Sequence, residues 1–306
     1  MGTQFWWFFD AVTAAVLLVA VFLAGRKGFA KTLIMTIGCA ASILLGVALS
    51  GAVSGFVYGS AIEHGNVKNL KETLSSTDLS ADTKTYIEGL GYNVKVNDNK
   101  VAEIFLEGGD LNGALYKYVN NINGKIVDTE ENFRQKMTQG FAEIMGSVFT
   151  KALSDYAGEA VHDKIITDMS KLPEAIMLIE TQAQAADVTD YSEAAKLLEK
   201  EYSADAYKDM ISLIAFAAVS VVVLLVVMNI ARKMNEGEAI GRVGDIADHV
   251  IGGVFGVIEA AVLMLIVASL VRLVVMFGSS EMILFNEESI NKTYVFKHIY
   301  EFTDML

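Results

Sequence analysis

The chain has 306 residues and a formal net charge of -13; 53% of its residues are hydrophobic and its mean hydropathy is +0.41. This composition is too apolar for an ordinary soluble protein of this length. The negative charge disfavours nucleic acid as a partner, because phosphate binding requires basic residues. A single cysteine, Cys39, excludes an internal disulfide and any cysteine-based metal or redox motif.

Four apolar runs follow one another along the chain, and each reaches the ~20 residues that a helix needs to cross ~30 Å of hydrocarbon. They are residues 5–25, 32–58, 210–230 and 250–277. Short segments join the first run to the second and the third to the fourth, as in two helical hairpins. The predicted fold is therefore all-α: a four-transmembrane-helix membrane protein with a mostly helical soluble insert between helices 2 and 3.

These runs also predict the domain organisation. We expect transmembrane hairpin 1 at residues 1–60, an acidic insert at 61–208, transmembrane hairpin 2 at 209–277 and an amphipathic tail at 278–306. The tail is expected either to lie on the outer membrane surface or to pack onto the insert.

Basic residues are concentrated in the two short hairpin loops: Arg26, Lys27, Lys31, Arg232, Lys233 and Arg242. Short loops rich in Lys and Arg remain cytoplasmic. We therefore expect the N-terminus, the insert and the C-terminus to be extracytoplasmic.

The insert carries helix signals at several places. One helix is expected to begin near Ser80, and another near Thr129, where Glu130 and Glu131 suit the positive end of the helix dipole. A further helical stretch is expected over 191–202. The alternation of residues 92–96 is compatible with a short strand. We interpret the insert as a small helical cap.

Small residues recur at four-residue spacing in two of the apolar runs. The ladders are Gly38, Ser42, Gly46 and Ser50 in the second run, continued by Gly51, Gly55 and Gly59, and Gly252, Gly256 and Ala260 in the fourth. Such ladders let helix backbones approach closely in lipid. Three interpretations stay open: packing within the bundle, self-association or binding of a protein partner, and a glycine-lined pathway.

Three ionisable residues lie within apolar runs, where each is costly and is a functional candidate. Asp10 and Arg272 are expected at similar depth near the outer end of the bundle. They either form an ion pair there or extend separately to the interface.

Glu259 lies about ten residues into its run, out of easy reach of either surface. It is expected to be a neutral carboxyl, part of a proton or cation relay, or a contact to a polar group of another helix or subunit.

The sequence contains no constellation typical of catalysis or metal binding. The four histidines lack metal-ligand spacing, and nucleophile-elbow, Walker A and dinucleotide motifs are absent. We therefore predict no catalytic residues, no cofactor and no metal site, and we do not expect an enzyme.

Four short motifs resemble those of the colicin V production protein (CvpA) family. They are Asp10 early in the first run, residues 25–29 (Gly-Arg-Lys-Gly-Phe), the segment from Asp248 through Gly252 to Gly256, and residues 291–300. The chain departs from the family pattern at Glu259 and Ala260, where a basic residue and a glycine are usual, and in its large insert.

The resemblance implies a four-helix protein of the bacterial cytoplasmic (inner) membrane, associated with toxin production or export or with envelope homeostasis. It transfers no catalytic residues. Together with the intramembrane charges, it yields the candidate residues Asp10, Gly25, Arg26, Gly28, Asp248, Gly252, Gly256, Glu259 and Arg272.

Two functions follow as expectations. The first is a membrane accessory or scaffold protein that associates with itself or with a protein partner through its small-residue helix faces. The alternative is a subunit of a transporter or channel that uses the intramembrane charged residues.

Overall fold

The computed structural model describes residues 5–27, 29–153, 161, 164–165, 167–168, 170–184, 190–233, 245–277, 282 and 284–305. The chain divides into two compact units. The membrane unit comprises Met1–Val57 and Lys208–Leu306, and the helical unit comprises Tyr58–Tyr207.

The described residues are mostly helical. In chain order, the α-helices are α1 (Trp7–Lys27), α2 (Phe29–Val57), α3 (Glu63–Ser75), α4 (Leu79–Gly89), α5 (Asp98–Glu107), α6 (Leu111–Asn123), α7 (Glu130–Ala152), α8 (Leu172–Gln184), α9 (Ser192–Leu198), α10 (Ala204–Lys233), α11 (Asp245–Phe277), α12 (Glu287–Asn291) and α13 (Phe296–Phe302). Two π-helical turns, Tyr58–Ile62 and Glu199–Ser203, and a 3₁₀ turn, Thr303–Met305, complete them.

Four helical stretches are long and apolar enough to cross a membrane. They are Trp7–Lys27, Lys31–Ser75, Ser192–Lys233 and His249–Met276. Their outer faces carry large apolar side chains, such as Leu18 at 71% exposure and Leu44 at 70%. A water-soluble protein rarely exposes so much continuous apolar surface, whereas a lipid-facing helix requires it. The all-α, four-transmembrane-helix prediction is confirmed.

The C-terminal tail packs against the membrane helices. Phe296 and Ile290 of the tail are fully buried and form one apolar cluster with Phe9 of α1 and Met264 and Val271 of α11. Phe9 and Phe296 stack with ring centroids 4.7 Å apart. The buried aromatic residues of the tail therefore fill a core inside the membrane unit, and the position of the tail on the outer membrane surface stays a prediction.

In the helical unit, several helix starts follow the sequence signals. The Thr129 side chain accepts a hydrogen bond from the Asn132 backbone N–H, and α7 begins at Glu130 as predicted. The Asp78 side chain caps α4, two residues before the predicted start at Ser80. These caps satisfy backbone N–H groups that have no partner within the helix.

The predicted strand over residues 92–96 is wrong, because the described structure has irregular backbone there. The Val96 N–H donates to Glu88 at 2.9 Å, and the Asn97 N–H donates to the Tyr118 hydroxyl at 2.9 Å. Asn93 has a φ of 56°, in the left-handed region that interrupts extended backbone. Side chains therefore take the hydrogen bonds that a neighbouring strand would need.

Candidate functional site

Glu259 and Lys27 form the most buried charge pair of the membrane unit. Glu259 Oε2 lies 3.9 Å from Lys27 Nζ, and the two side chains are 8% and 41% exposed. Glu259 Oε1 is fully buried and has no hydrogen-bond partner among the described residues. The ion pair is a contact to a polar group of another helix, one of the three interpretations left open for Glu259, and the long Lys27 side chain makes it from the end of α1.

This pair lines a cavity of about 460 Å³ among the four membrane-spanning helices. Seven of the twelve lining residues are aliphatic, and the others are two methionines, Lys27, Glu259 and the buried Cys39. The lining is Ala15, Val16, Val19, Ala20, Leu23, Lys27, Met35, Cys39, Leu224, Met228, Glu259 and Leu263. A mostly apolar cavity of this volume with a few convergent polar groups is typical of small-molecule sites.

Gly252 and Gly256 place α11 directly against α1. A Cβ atom added at Gly252 would lie 2.8 Å from the Ala24 carbonyl oxygen, and one at Gly256 would lie 2.9 Å from the Val21 Cα. Neither distance leaves room for a methyl group. The fourth-run ladder therefore serves packing within the bundle, and it brings Glu259 to the wall of the cavity.

His249, near the start of α11, contacts the backbone of α1 at the end of the α1–α11 contact. Its Nδ1 lies 2.6 Å from the Gly25 carbonyl oxygen, and since that oxygen can only accept, Nδ1 is the donor. Arg26 is exposed, with its guanidinium 5.5 Å from the centre of the Phe22 ring. Gly28 and Arg242 lie outside the described residues, as does the side chain of Asp248.

The ladder of α2 packs against α10. Added Cβ atoms would lie 2.2 Å from Val227 Cγ1 at Gly38 and 2.6 Å from Ser220 Oγ at Gly46. The Ser220 hydroxyl donates to the Ser42 carbonyl oxygen at 3.3 Å. At Gly51, by contrast, an added Cβ would meet no atom of another segment within 4 Å, and Gly55 is equally open.

Asp10 binds the backbone of the tail. Its carboxylate accepts hydrogen bonds from the N–H groups of Tyr294 at 2.7 Å, Val295 at 3.0 Å and Phe296 at 3.0 Å. Phe296 begins α13, so Asp10 occupies the place of an N-cap for that helix. Its charge also suits the positive end of the helix dipole.

Arg272 binds the next turn of the same tail. It forms an ion pair with Asp304, donates to the Thr303 hydroxyl at 3.1 Å and lies 5.7 Å from the centre of the Tyr300 ring. The hypothesis of a direct Asp10–Arg272 ion pair is wrong. Both residues lie at the tail end of the bundle, but tail groups satisfy each of them separately.

The second hairpin and the tail also carry the similarity to known proteins. Residues 185–303 match the family described as Colicin V production protein. This match confirms the resemblance seen in the sequence. The matched segment contains Gly252, Gly256, Glu259 and Arg272, whereas Asp10 and Lys27 lie outside it. No curated protein and no solved structure shows a significant match to the chain.

Sequence reasoning did not find the partners of the three intramembrane charges. Lys27 was assigned to a cytoplasmic loop, and Thr303 and Asp304 carried no motif. The three N–H groups that bind Asp10 are backbone groups, which leave no signal in residue identity.

Proposed function

We propose that this protein is a non-enzymatic accessory protein of the bacterial cytoplasmic membrane that acts in the production or export of a peptide toxin or in envelope homeostasis. The match of residues 185–303 to the colicin V production family carries this proposal. In the proposed orientation both hairpin loops face the cytoplasm, supported by Arg26 and Lys27 at the end of α1 and Arg232 and Lys233 at the end of α10.

The open glycines of α2 support association with another protein. Gly38 and Gly46 are occupied by α10, but Gly51 and Gly55 leave a shallow exposed path on the same helix. In lipid, such a path lets a second helix approach closely. We propose that a partner helix, from a second copy or another membrane protein, packs here.

Gene disruption with complementation tests the physiological role. Toxin activity released into the medium and leakage of a periplasmic enzyme are measured in the same cultures. We expect disruption to lower the released toxin activity or to raise the leakage of the periplasmic enzyme. The wild-type gene should restore the value that changed. Unchanged values in both assays would remove the proposal.

Crosslinking in native membranes tests the association. Replacement of Gly51 and Gly55 by Leu should abolish the crosslinked species. The matched control is Ala40→Leu, a small-to-large change at an exposed position of the same helix, which should leave the species unchanged. A crosslinked species that survives in the double variant would place the partner elsewhere.

The buried pair Lys27–Glu259 favours transport as a second candidate function. An ionisable residue inside a membrane bundle is by default a candidate for an ion or proton path. Purified protein in liposomes should then conduct protons or cations, and Glu259→Gln should abolish the flux. Absence of flux with the wild-type protein would reject transport and leave the accessory role as the proposed function.

A further inference from the structure

The buried carboxylate of Glu259 is only half satisfied. Lys27 Nζ lies 3.9 Å from Oε2, which exceeds the roughly 2.7–3.2 Å of a hydrogen bond. Oε1 is completely buried and has no hydrogen-bond partner among the described residues. A buried acceptor without a donor is costly, more so when it belongs to a charged group. The site therefore lacks one hydrogen-bond donor.

The cavity beside Glu259 is large enough to admit a molecule that supplies this donor. Its volume of about 460 Å³ lies within the range of small-molecule sites, ~300–1,000 Å³. Val19 and Leu263 line it and are themselves 56% and 42% exposed on the lipid-facing surface. A ligand that dissolves in the bilayer can therefore reach the cavity from the lipid.

Charge selects the class of ligand. Glu259 and Lys27 together carry no net charge, so a cationic ligand would leave an uncompensated positive charge at low dielectric, and an anionic one would meet the carboxylate. A neutral group that both donates and accepts fits the gap between the two side chains. Hydroxyl groups do both, whereas ethers only accept.

We propose that this cavity binds an uncharged lipophilic alcohol or phenol, whose hydroxyl donates to the Glu259 carboxylate at Oε2, the oxygen that faces Lys27, and accepts from Lys27 Nζ. The aliphatic lining contacts the apolar body of the ligand. This inference goes beyond the accessory role and requires no flux, and its test depends on neither toxin release nor transport.

Binding of 2-naphthol to the full-length protein in lipid nanodiscs tests the proposal. Its fluorescence anisotropy is titrated against empty nanodiscs of the same lipid, with 2-methoxynaphthalene as the probe that lacks the donor. We expect saturable binding of 2-naphthol, weakened about tenfold or more by Glu259→Leu, and only partition of the methoxy probe.

Three further variants separate site binding from altered folding. Val19→Trp fills the cavity from an exposed lining position and should block 2-naphthol, while Val222→Trp adds the same bulk at an exposed position outside the lining and should not. Glu131→Gln removes an exposed acidic charge from the helical unit and should bind like wild type.

Several results would overturn the proposal. These are non-saturable partition of 2-naphthol, equal affinity in Glu259→Leu and wild type, or equal binding of the methoxy probe. Tighter binding of 2-naphthylmethylammonium than of 2-naphthol would overturn the assignment of a neutral ligand.

Discussion

The carboxylate of Asp10 caps helix α13 at Phe296, 286 positions along the chain. The contact joins the start of the first membrane helix to the tail through backbone N–H groups alone. Arg272 binds the next turn of that tail through an ion pair with Asp304 and a hydrogen bond to Thr303. One end of the membrane unit is therefore closed by two polar contacts around an apolar cluster.

Replacement of Asp10 by Ala should loosen this end. Three N–H groups would lose their acceptor, and because these hydrogen bonds are exposed or only part-buried, the cost of about 0.5–2 kcal/mol for losing a helix N-cap side chain sets the scale. Asp10→Asn keeps one acceptor oxygen and should lose less. Limited proteolysis of the tail and thermal unfolding in detergent measure the effect. Lys95→Ala, at an exposed position outside the helices, serves as the control. Equal protease resistance of Asp10→Ala and wild type would contradict the prediction.

The Arg272–Asp304 pair should contribute modestly. Because the Asp304 side chain is 58% exposed, the coupling energy in a double-mutant cycle of Arg272→Gln and Asp304→Asn should be at most about 1 kcal/mol. Arg272→Gln alone should cost more than the pair, since the arginine also contacts Thr303 and Tyr300. Strictly additive unfolding energies in the cycle would show that the pair contributes nothing.

Gly252 and Gly253 provide a matched pair for the α1–α11 contact. A methyl group at Gly252 would lie 2.8 Å from the Ala24 carbonyl oxygen, whereas one at Gly253 would find its nearest neighbour, Val21 Cγ1, at 3.6 Å. Gly252→Ala should destabilise by about 1–3 kcal/mol through overpacking. Gly253→Ala should be neutral or stabilising, because alanine favours a helix by up to ~1 kcal/mol over glycine. Thermal unfolding of the two variants in the same detergent compares their stabilities. A Gly253→Ala variant less stable than Gly252→Ala would refute the close contact of α11 with α1 at Gly252.

Glu180 in the helical unit should make stability depend on pH. Burial first, and the nearby Asp78 second, raise the pKa of this carboxyl above 4.5. The unfolded chain then ionises at lower pH than the folded one, so wild-type stability falls as the pH rises from about 4.5 through the raised folded pKa. Glu180→Gln should be more stable than wild type at pH 7, and the difference should vanish below the unfolded pKa.

Hydrogen exchange of α8 in the full-length protein measures the difference in stability between Glu180→Gln and wild type. Glu174→Gln, at an exposed position of the same helix, is the control and should show no comparable pH dependence. Faster exchange in Glu180→Gln than in wild type at pH 7 would contradict the sign.

The sequence predicted the elements of this fold better than their contacts. Uninterrupted apolar length specified the four spans, and Thr129 with two acidic residues after it specified the start of α7. These signals are local. The partner of Glu259 was missed because a lysine side chain can extend a full helical turn from its position in the chain, and residue spacing does not record which way it points.

The same reason explains the incorrect Asp10–Arg272 pair. The predicted pair rested on similar expected depth in the bilayer, but depth does not show which other groups lie next to each charge. In the structure the group next to Asp10 is the tail backbone around Val295, whose N–H groups exist in every sequence except at proline. Irregular residues 92–97 escaped prediction similarly, since their hydrogen bonds go to the side chains of Glu88 and Tyr118.

The Asp10 contact also imposes an order on biosynthesis. A ribosome delivers Asp10 to the membrane early, whereas the N–H groups that receive it are made 284 to 286 residues later. Until then the Asp10 carboxylate lacks these three donors, and a carboxylate without them resists deep insertion. Assembly of this end of the protein is therefore completed only after residues 294–296 have been translated, and a nascent chain arrested before residue 294 would keep its first span shallow and exposed to proteolysis.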